Sequence, residues 1–214
     1  MPVIECVTVE LNPGITIEDA SRQQANAIST HVDKAAGLIS VSWGFHKENP
    51  RRNTWFLTWE SVAHHITYTQ SPSYPPFLAS ISTFCTPLGF YHVPLTPDPS
   101  TLLATAPVVE LFTATLEDAT DKEEWVNGLA ELMKVGEETL PKEGVYGFAH
   151  GWSVEQERRF VLLAGWESRE VHEAWERGLT GEQRERGLGP LGRGVKGVEL
   201  VHVDLREGSG KWGA

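Results

Sequence analysis

WGFHKENPRRNTWFLTWESVAHH, residues 43–65, and HGWSVEQERRFVLLAGWESREVH, residues 150–172, are one pattern written twice, 107 residues apart. Without a gap Gly44 meets Gly151, Glu48 meets Glu155, Arg51-Arg52 meets Arg158-Arg159, Trp59-Glu60-Ser61 meets Trp166-Glu167-Ser168, and His65 meets His172. Self-similarity at a fixed spacing marks a repeated structural unit and outranks any local pattern.

With small gaps the register reaches both ends. Pro2-Val3-Ile4-Glu5 matches Pro107-Val108-Val109-Glu110, and Tyr91-His92-Val93 matches Val201-His202-Val203. The chain therefore divides into a first repeat (1–95), a linker (96–106), a second repeat (107–205) and a flexible tail (206–214). Pro97 and Pro99 hold the linker's backbone extended, so it reads as a semi-stiff connector.

Each repeat has the same predicted order. In the first, Val3 to Leu11 is β-branched and stopped by Pro13-Gly14, which predicts a strand. Glu18 to Ala36 carries Ala20, Ala25, Ile28 and Val32 on one side, which predicts a helix, with Gly37 at its C-terminal cap. Leu38 to Phe45 and Thr54 to Trp59 make a hairpin around a charged, turn-rich loop. A second helix over Ser61 to Tyr68 and a strand over Gly89 to Leu95 complete the unit. The second repeat gives a strand (Val108 to Leu116), a helix (Asp121 to Leu140), a hairpin (Val145 to Trp152 and Phe160 to Trp166), a helix (Arg169 to Leu179) and a strand (Val198 to Leu205). The order βαββαβ is the ferredoxin-like split motif. Such a sheet has helices on one face only, and two of them, face to face, cover each other's bare side. The expected fold class is α+β: two ferredoxin-like repeats forming an intramolecular pseudo-dimeric α/β barrel, which could dimerise again.

Composition narrows the function. The net charge of -11 over 214 residues disfavours nucleic acid and anionic lipid as partners. No apolar run approaches membrane-spanning length, and Glu5 interrupts the N-terminal run where a signal peptide needs apolar residues. A cytoplasmic location is the resulting expectation. The two cysteines, Cys6 and Cys85, have no ligand spacing, and neither histidine of the His64-His65 pair belongs to a His-x-x-x-His pattern. Neither a metal nor a cofactor is expected.

Residues 43–77 carry Trp43-Gly44 after the second strand, Trp59-Glu60-Ser61 closing the third, then Tyr68 and Pro72. This pattern resembles the stress-responsive A/B-barrel family of the dimeric α/β-barrel superfamily, which includes polyketide cyclases. The resemblance implies a pocket between sheet and helices in each repeat. It also implies acid-base chemistry on a hydrophobic carbonyl compound. The sequence departs from the family where Ser71 replaces the histidine of a His-Pro pair, where Tyr74 stands at the position of the cyclases' catalytic histidine, and where Glu5 replaces a pocket histidine. In the second repeat Trp175 takes the place of Tyr68, and nothing matches Pro72 or Tyr74, so the first repeat is the one expected to hold a working pocket.

The candidate catalytic residues are Glu5, His92 and Tyr74. A carboxylate on an apolar strand is costly unless paired or protonated, and burial lifts its pKa towards neutrality, as a general base or acid requires. First and last strands of such a unit can run close, which would let Glu5 and His92 act as a dyad. Tyr68 and Tyr74 would offer phenols to a substrate carbonyl. Candidate substrate-binding residues are Val7, Val9, Val41, Trp43, Trp55, Tyr68, Glu110, His172, Trp175 and His202. Two functions are compatible: a cofactor-independent cyclase, aldolase, decarboxylase or monooxygenase, and a stress-responsive or hydrophobic-ligand-binding protein without chemistry. Haem binding, which has a precedent in the superfamily, is a lesser third.

Overall fold

A computed structural model describes residues 1–205 and the backbone of 211–212. In the first half, β1 (Val3–Leu11), α1 (Ile17–His31), β2 (Leu38–His46), β3 (Arg52–Trp59), α2 (Val62–Thr69), α3 (Tyr74–Ser82) and β4 (Cys85–Val93) follow in order. The second half has β5 (Val108–Leu116), α5 (Lys122–Thr139), β6 (Val145–Trp152), β7 (Arg159–Trp166), α6 (Arg169–Gly178), α7 (Gly181–Gly187) and β8 (Val195–Asp204). Between them runs α4 (Ser100–Thr105), and a short β9 (Lys211–Trp212) pairs with β2. The rest of the tail expected to be flexible lies outside the described residues. No helix among the described residues is long and apolar enough to cross a membrane.

All strand pairs are antiparallel, and the strand order is β4-β1-β3-β2-β8-β5-β7-β6. Each half thus has the ferredoxin-like order, last-first-third-second. The two sheets are joined at their edges as well as packed. At one seam Phe45 pairs with Asp204 and His46 with Val203. At the other, Thr96 and His150 exchange backbone hydrogen bonds of 2.9 Å. The glycines of the repeat make these seams possible. A Cβ on Gly44 would lie 2.0 Å from the Asp204 carbonyl oxygen, and one on Gly151 would lie 2.3 Å from that of Pro94.

Three apolar clusters result. One lies between sheet and helices in the first half, around Ile28, Trp43, Trp55, Trp59 and Phe77. Its counterpart in the second half is built around Trp125, Leu129, Phe160 and Leu191. The third lies between the two sheets and draws Ile4, Phe56 and Val93 from the first half and Val109, Leu163 and Val203 from the second.

Two segments differ from the sequence reading. The linker is not simply extended: residues 100–105 form α4, which buries Leu102 and Leu103 in the shared cluster. A third helix per half, α3 and α7, was hidden. Pro75-Pro76 and Gly181 read as breakers, yet proline at the first helical positions suits a helix start, and Thr180 with Gln183 forms a capping box.

Candidate functional site

The repeated Trp-Glu-Ser element places one catalytic-type cluster in each half. Its tryptophan ends β3 or β7 with the indole turned inward, and its serine precedes the next helix, α2 or α6. Ser168 caps α6 by accepting from the Val171 N–H, whereas Ser61 contacts His64 Nδ1 at 3.1 Å. One turn into each helix stands the repeated histidine, its ring stacked on the tryptophan: Trp59–His65 centroids lie 5.1 Å apart and Trp166–His172 4.7 Å.

Around that stack the first-half cluster is a chain of four side chains, Glu5, His65, His92 and Glu155, anchored by the Trp59 indole. Trp59 Nε1 donates to Glu5 Oε2 at 2.9 Å, and Glu5 Oε1 faces His65 Nε2 at 3.5 Å. His65 Nδ1 lies 2.8 Å from His92 Nε2, and His92 Nδ1 lies 2.5 Å from Glu155 Oε1. Glu155 belongs to the other half. The second-half chain repeats this with Trp166 to Glu110 at 2.9 Å, Glu110 to His172 at 3.5 Å, His172 to His202 at 2.8 Å, and His202 to Glu48 at 2.7 Å. Each half therefore lends a carboxylate to the other's cluster.

The seams explain the exchange. Lys47 N–H donates to the His202 carbonyl at 2.8 Å, and Val154 N–H to that of His92 at 2.8 Å. That pairing puts the next residue, Glu48 or Glu155, opposite the same histidine, where it also accepts the histidine's backbone N–H at 3.0 or 2.8 Å.

Electrostatics orient the chains. Burial raises Glu5 and Glu110 from 4.5 to about 7, against the indole hydrogen bond that lowers them. Burial pushes His65 and His172 down to about 4, so both rings are neutral at pH 7. For Glu48 and Glu155 burial acts upward, but the hydrogen bonds from His202 and His92 outweigh it and hold both carboxyls below their ordinary value. With an anionic outer carboxylate, each ring's proton inventory assigns one direction. The inner carboxylic acid faces a ring lone pair, each imidazole donates outward to the next group, and the last accepts. Each cluster is thus wired to move a proton between a buried carboxyl and one near solvent; the Glu155 and Glu48 side chains are 35% and 30% exposed.

The surroundings of the two clusters differ. In the second half a cavity of about 350 Å³ opens onto the cluster, with Glu110, Trp166, His172 and Trp175 in its wall and Phe112, Leu132, Leu162 and Leu200 among its apolar lining. In the first half Tyr68, Tyr74 and Phe77 pack on one another, with ring centroids 5.5 to 6.4 Å apart, and on Trp55 and Trp59. At the 107-residue spacing Tyr74 and Phe77 correspond to Gly181 and Arg184, which supply no rings. This cavity lies in the second half; in the first half, where a working pocket was expected, the rings of Tyr68, Tyr74 and Phe77 pack beside the cluster.

Glu5 and His92 face each other in register on β1 and β4, but His65 joins them, so the expected dyad is a longer chain. Val9, Val41, Trp43 and Trp55 lie in the closed first-half core, with Val7 packed against it. Glu110, His172 and Trp175 line the cavity, and His202 stands behind His172. The sequence reading missed His65 as a link and both Glu48 and Glu155 as partners of the histidines. Their recurrence in exact register was the available signal.

The fold, two ferredoxin-like βαββαβ units with their sheets joined edge to edge, is shared with several solved structures. Its likenesses among solved structures include an anthrone oxidase-like protein (TM-score 0.67, 11% identity, 99% of this chain and 94% of that one). A candidate monooxygenase from Lactobacillus acidophilus NCFM (0.60, 11%, 94% and 92%) and chlorite dismutase from Candidatus Nitrospira defluvii in complex with imidazole (0.61, 9%, 95% and 91%) are similar over comparable lengths. At these identities the likeness shows the fold alone. No protein-family model matches the chain, and no curated protein matches it either.

For haem, an alternative raised by the resemblance, the cavity wall offers two side chains of haem-ligating type, Met133 and His172, the latter with ring nitrogens 2.8 Å from His202 and 3.5 Å from Glu110.

Proposed function

We propose that the chain is a tandem-duplicated, pseudo-dimeric barrel whose second half is a cofactor-independent enzyme site for a hydrophobic, carbonyl-bearing small molecule of the polyketide or aromatic type. The observation that carries this reading is Glu110, a carboxyl raised to about 7 in the wall of an apolar cavity and linked through the His172 and His202 rings to the outer carboxylate of Glu48. A group titrating near neutral pH suits proton abstraction at working pH. In this reading Glu110 takes a proton from carbon beside a carbonyl, or from a phenol, and the chain His172–His202–Glu48 passes a proton to solvent. Trp166 and Trp175 give the ligand flat apolar surfaces. Enolate or phenolate formation is a first step common to cyclisation, aldol cleavage, decarboxylation and cofactor-free oxygenation, so the site supports the class rather than one member. The substrate is uncharged or singly acidic, since the cavity wall already carries Glu110, Glu137 and Glu176.

A panel of aromatic ketones and β-dicarbonyl compounds incubated with the protein in D₂O tests this by NMR. Enzyme-dependent loss of the α-proton signal, abolished in Glu110→Gln, supports the reading. Ligands that bind and retain their α-protons would instead support a hydrophobic-ligand carrier, which the apolar cavity alone would serve.

A further inference from the structure

The first-half cluster has the same four side chains as the second and no part in the reaction proposed above. Two differences set it apart. In the second half one oxygen, Glu110 Oε2, serves both the Trp166 indole and His172. In the first half the indole holds Glu5 Oε2, which leaves Oε1 to face the histidines with its lone pairs uncommitted to Trp59. Closure is the second difference. Phe90 stands edge-on to both imidazoles, at 6.3 Å from His65 and 6.0 Å from His92, and Tyr68 and Tyr74 cover the Trp59 side. Inside that enclosure the buried Tyr68 hydroxyl has no hydrogen-bond partner.

We infer that Glu5, His65 and His92 form a binding site for a divalent first-row transition ion, zinc above all. One donor atom from each residue lies within 4.8 Å of the other two, and all three residues are buried. Two imidazole nitrogens and one carboxylate oxygen are the borderline donor set that zinc and its neighbours favour over magnesium or calcium. The support around them is of the kind metal sites use. The Glu155 carboxylate takes His92 Nδ1–H and so turns Nε2 inward, and the Trp59 indole fixes the far oxygen of Glu5. The nitrogens of His65 and His92 are now 2.8 Å apart. With metal–nitrogen bonds of about 2.0–2.1 Å, a tetrahedral ion would part them by about half an ångström. A small rotation of the rings supplies that. The ion would take the place of the proton between the two rings, and a water would complete four-coordination. The two halves would then use one cluster for different ends, proton transfer beside the open cavity and metal binding beside the closed one. The inference does not depend on the reaction proposed for the second half, because its three ligands are all first-half residues.

The test uses the whole chain, stripped with chelator and titrated with Zn²⁺ by calorimetry and with Co²⁺ by visible absorption. One ion per chain, with ligand-field bands of four-coordinate Co²⁺, is expected. Glu5→Gln and His92→Ala should abolish binding, and Glu155→Gln should weaken it about 10–100-fold. Glu110→Gln and His202→Ala should leave it intact. Because the first-half variants also remove buried hydrogen bonds, X-ray absorption of the wild-type Zn²⁺ complex gives an independent reading: a shell with two imidazoles is expected. Absence of binding, two ions per chain, or a shell without imidazole would each overturn the assignment.

Discussion

Replacing Glu110 by glutamine should make the protein less sensitive to alkali, by an amount the structure fixes. The carboxyl titrates near 7 in the folded protein, raised from 4.5 chiefly by burial. Between those values the unfolded chain has released this proton while the folded protein still holds it. Stability therefore falls as pH rises through the window and levels off above the folded value. The gap between 4.5 and about 7, at about 1.4 kcal/mol per pH unit, amounts to about 3 kcal/mol. This residue is buried, so solvent screening does not reduce the figure much.

Glutamine keeps an oxygen for the Trp166 indole but has no proton to lose in this range. Urea unfolding of wild type and Glu110→Gln at pH 4.5, 6, 7 and 8 isolates the effect, because every other titrating group cancels in the difference. The variant should gain steadily on the wild type, by about 3 kcal/mol between the first and last pH. Parallel stability curves would refute the argument, since they would mean that Glu110 sheds its proton as readily in the fold as in the unfolded chain.

The crossed carboxylates and the seams give two further predictions. Glu48→Ala should reduce the proton exchange proposed for the second-half cavity although Glu48 is a first-half residue, and should destabilise the protein by about 1–3 kcal/mol through the unpaired His202 N–H groups; nitrogen-15 NMR of the His202 ring should show a changed tautomer balance, which a purely structural role would not require. Gly44→Ala and Gly151→Ala should each cost about 1–3 kcal/mol, because a Cβ at either position meets a carbonyl oxygen across a seam at 2.0 or 2.3 Å. Gly89→Ala, where a Cβ meets nothing within 4 Å, is the thermal-melting control.

Most of the fold was legible because duplication writes its evidence twice. Trp59-Glu60-Ser61 and its copy located the end of one strand and the start of one helix in both halves, and the β-branched runs gave the strands. The third helices were not legible, because α3 carries Pro75 and Pro76 in its first turn and α7 begins with a glycine, residues whose breaking tendency was stronger in the pattern than their part in starting a helix. For the site, Glu5 and Glu110 stood out as acids on apolar strands, and β1–β4 pairing brought Glu5 opposite His92 as expected. What the pattern could not convey was distance across the barrel. Glu48 lies 154 residues from His202 and Glu155 lies 63 from His92, so no local spacing marks them as partners. The proposed metal donors share that feature, since Glu5, His65 and His92 come from β1, α2 and β4.

Those crossed contacts also bear on why two copies remain in one chain. Each hairpin delivers its glutamate to the other half's histidine through a seam that also carries backbone hydrogen bonds and a glycine-permitted close approach. A half on its own would keep its inner carboxyl, tryptophan and both histidines but lose the outer carboxylate, leaving a buried ring N–H without an acceptor and its proton chain without an outlet. Fusion removes the concentration dependence of assembling the two halves. It also frees them to diverge. Once one chain carries both copies, the rings of Tyr74 and Phe77 can close one cavity while Gly181 and Arg184 leave the other open, and the closed half still supplies Glu48 to the open one. The asymmetry and the exchange are thus complementary: the half whose aromatic rings pack beside its own cluster still lends its hairpin glutamate to its neighbour's.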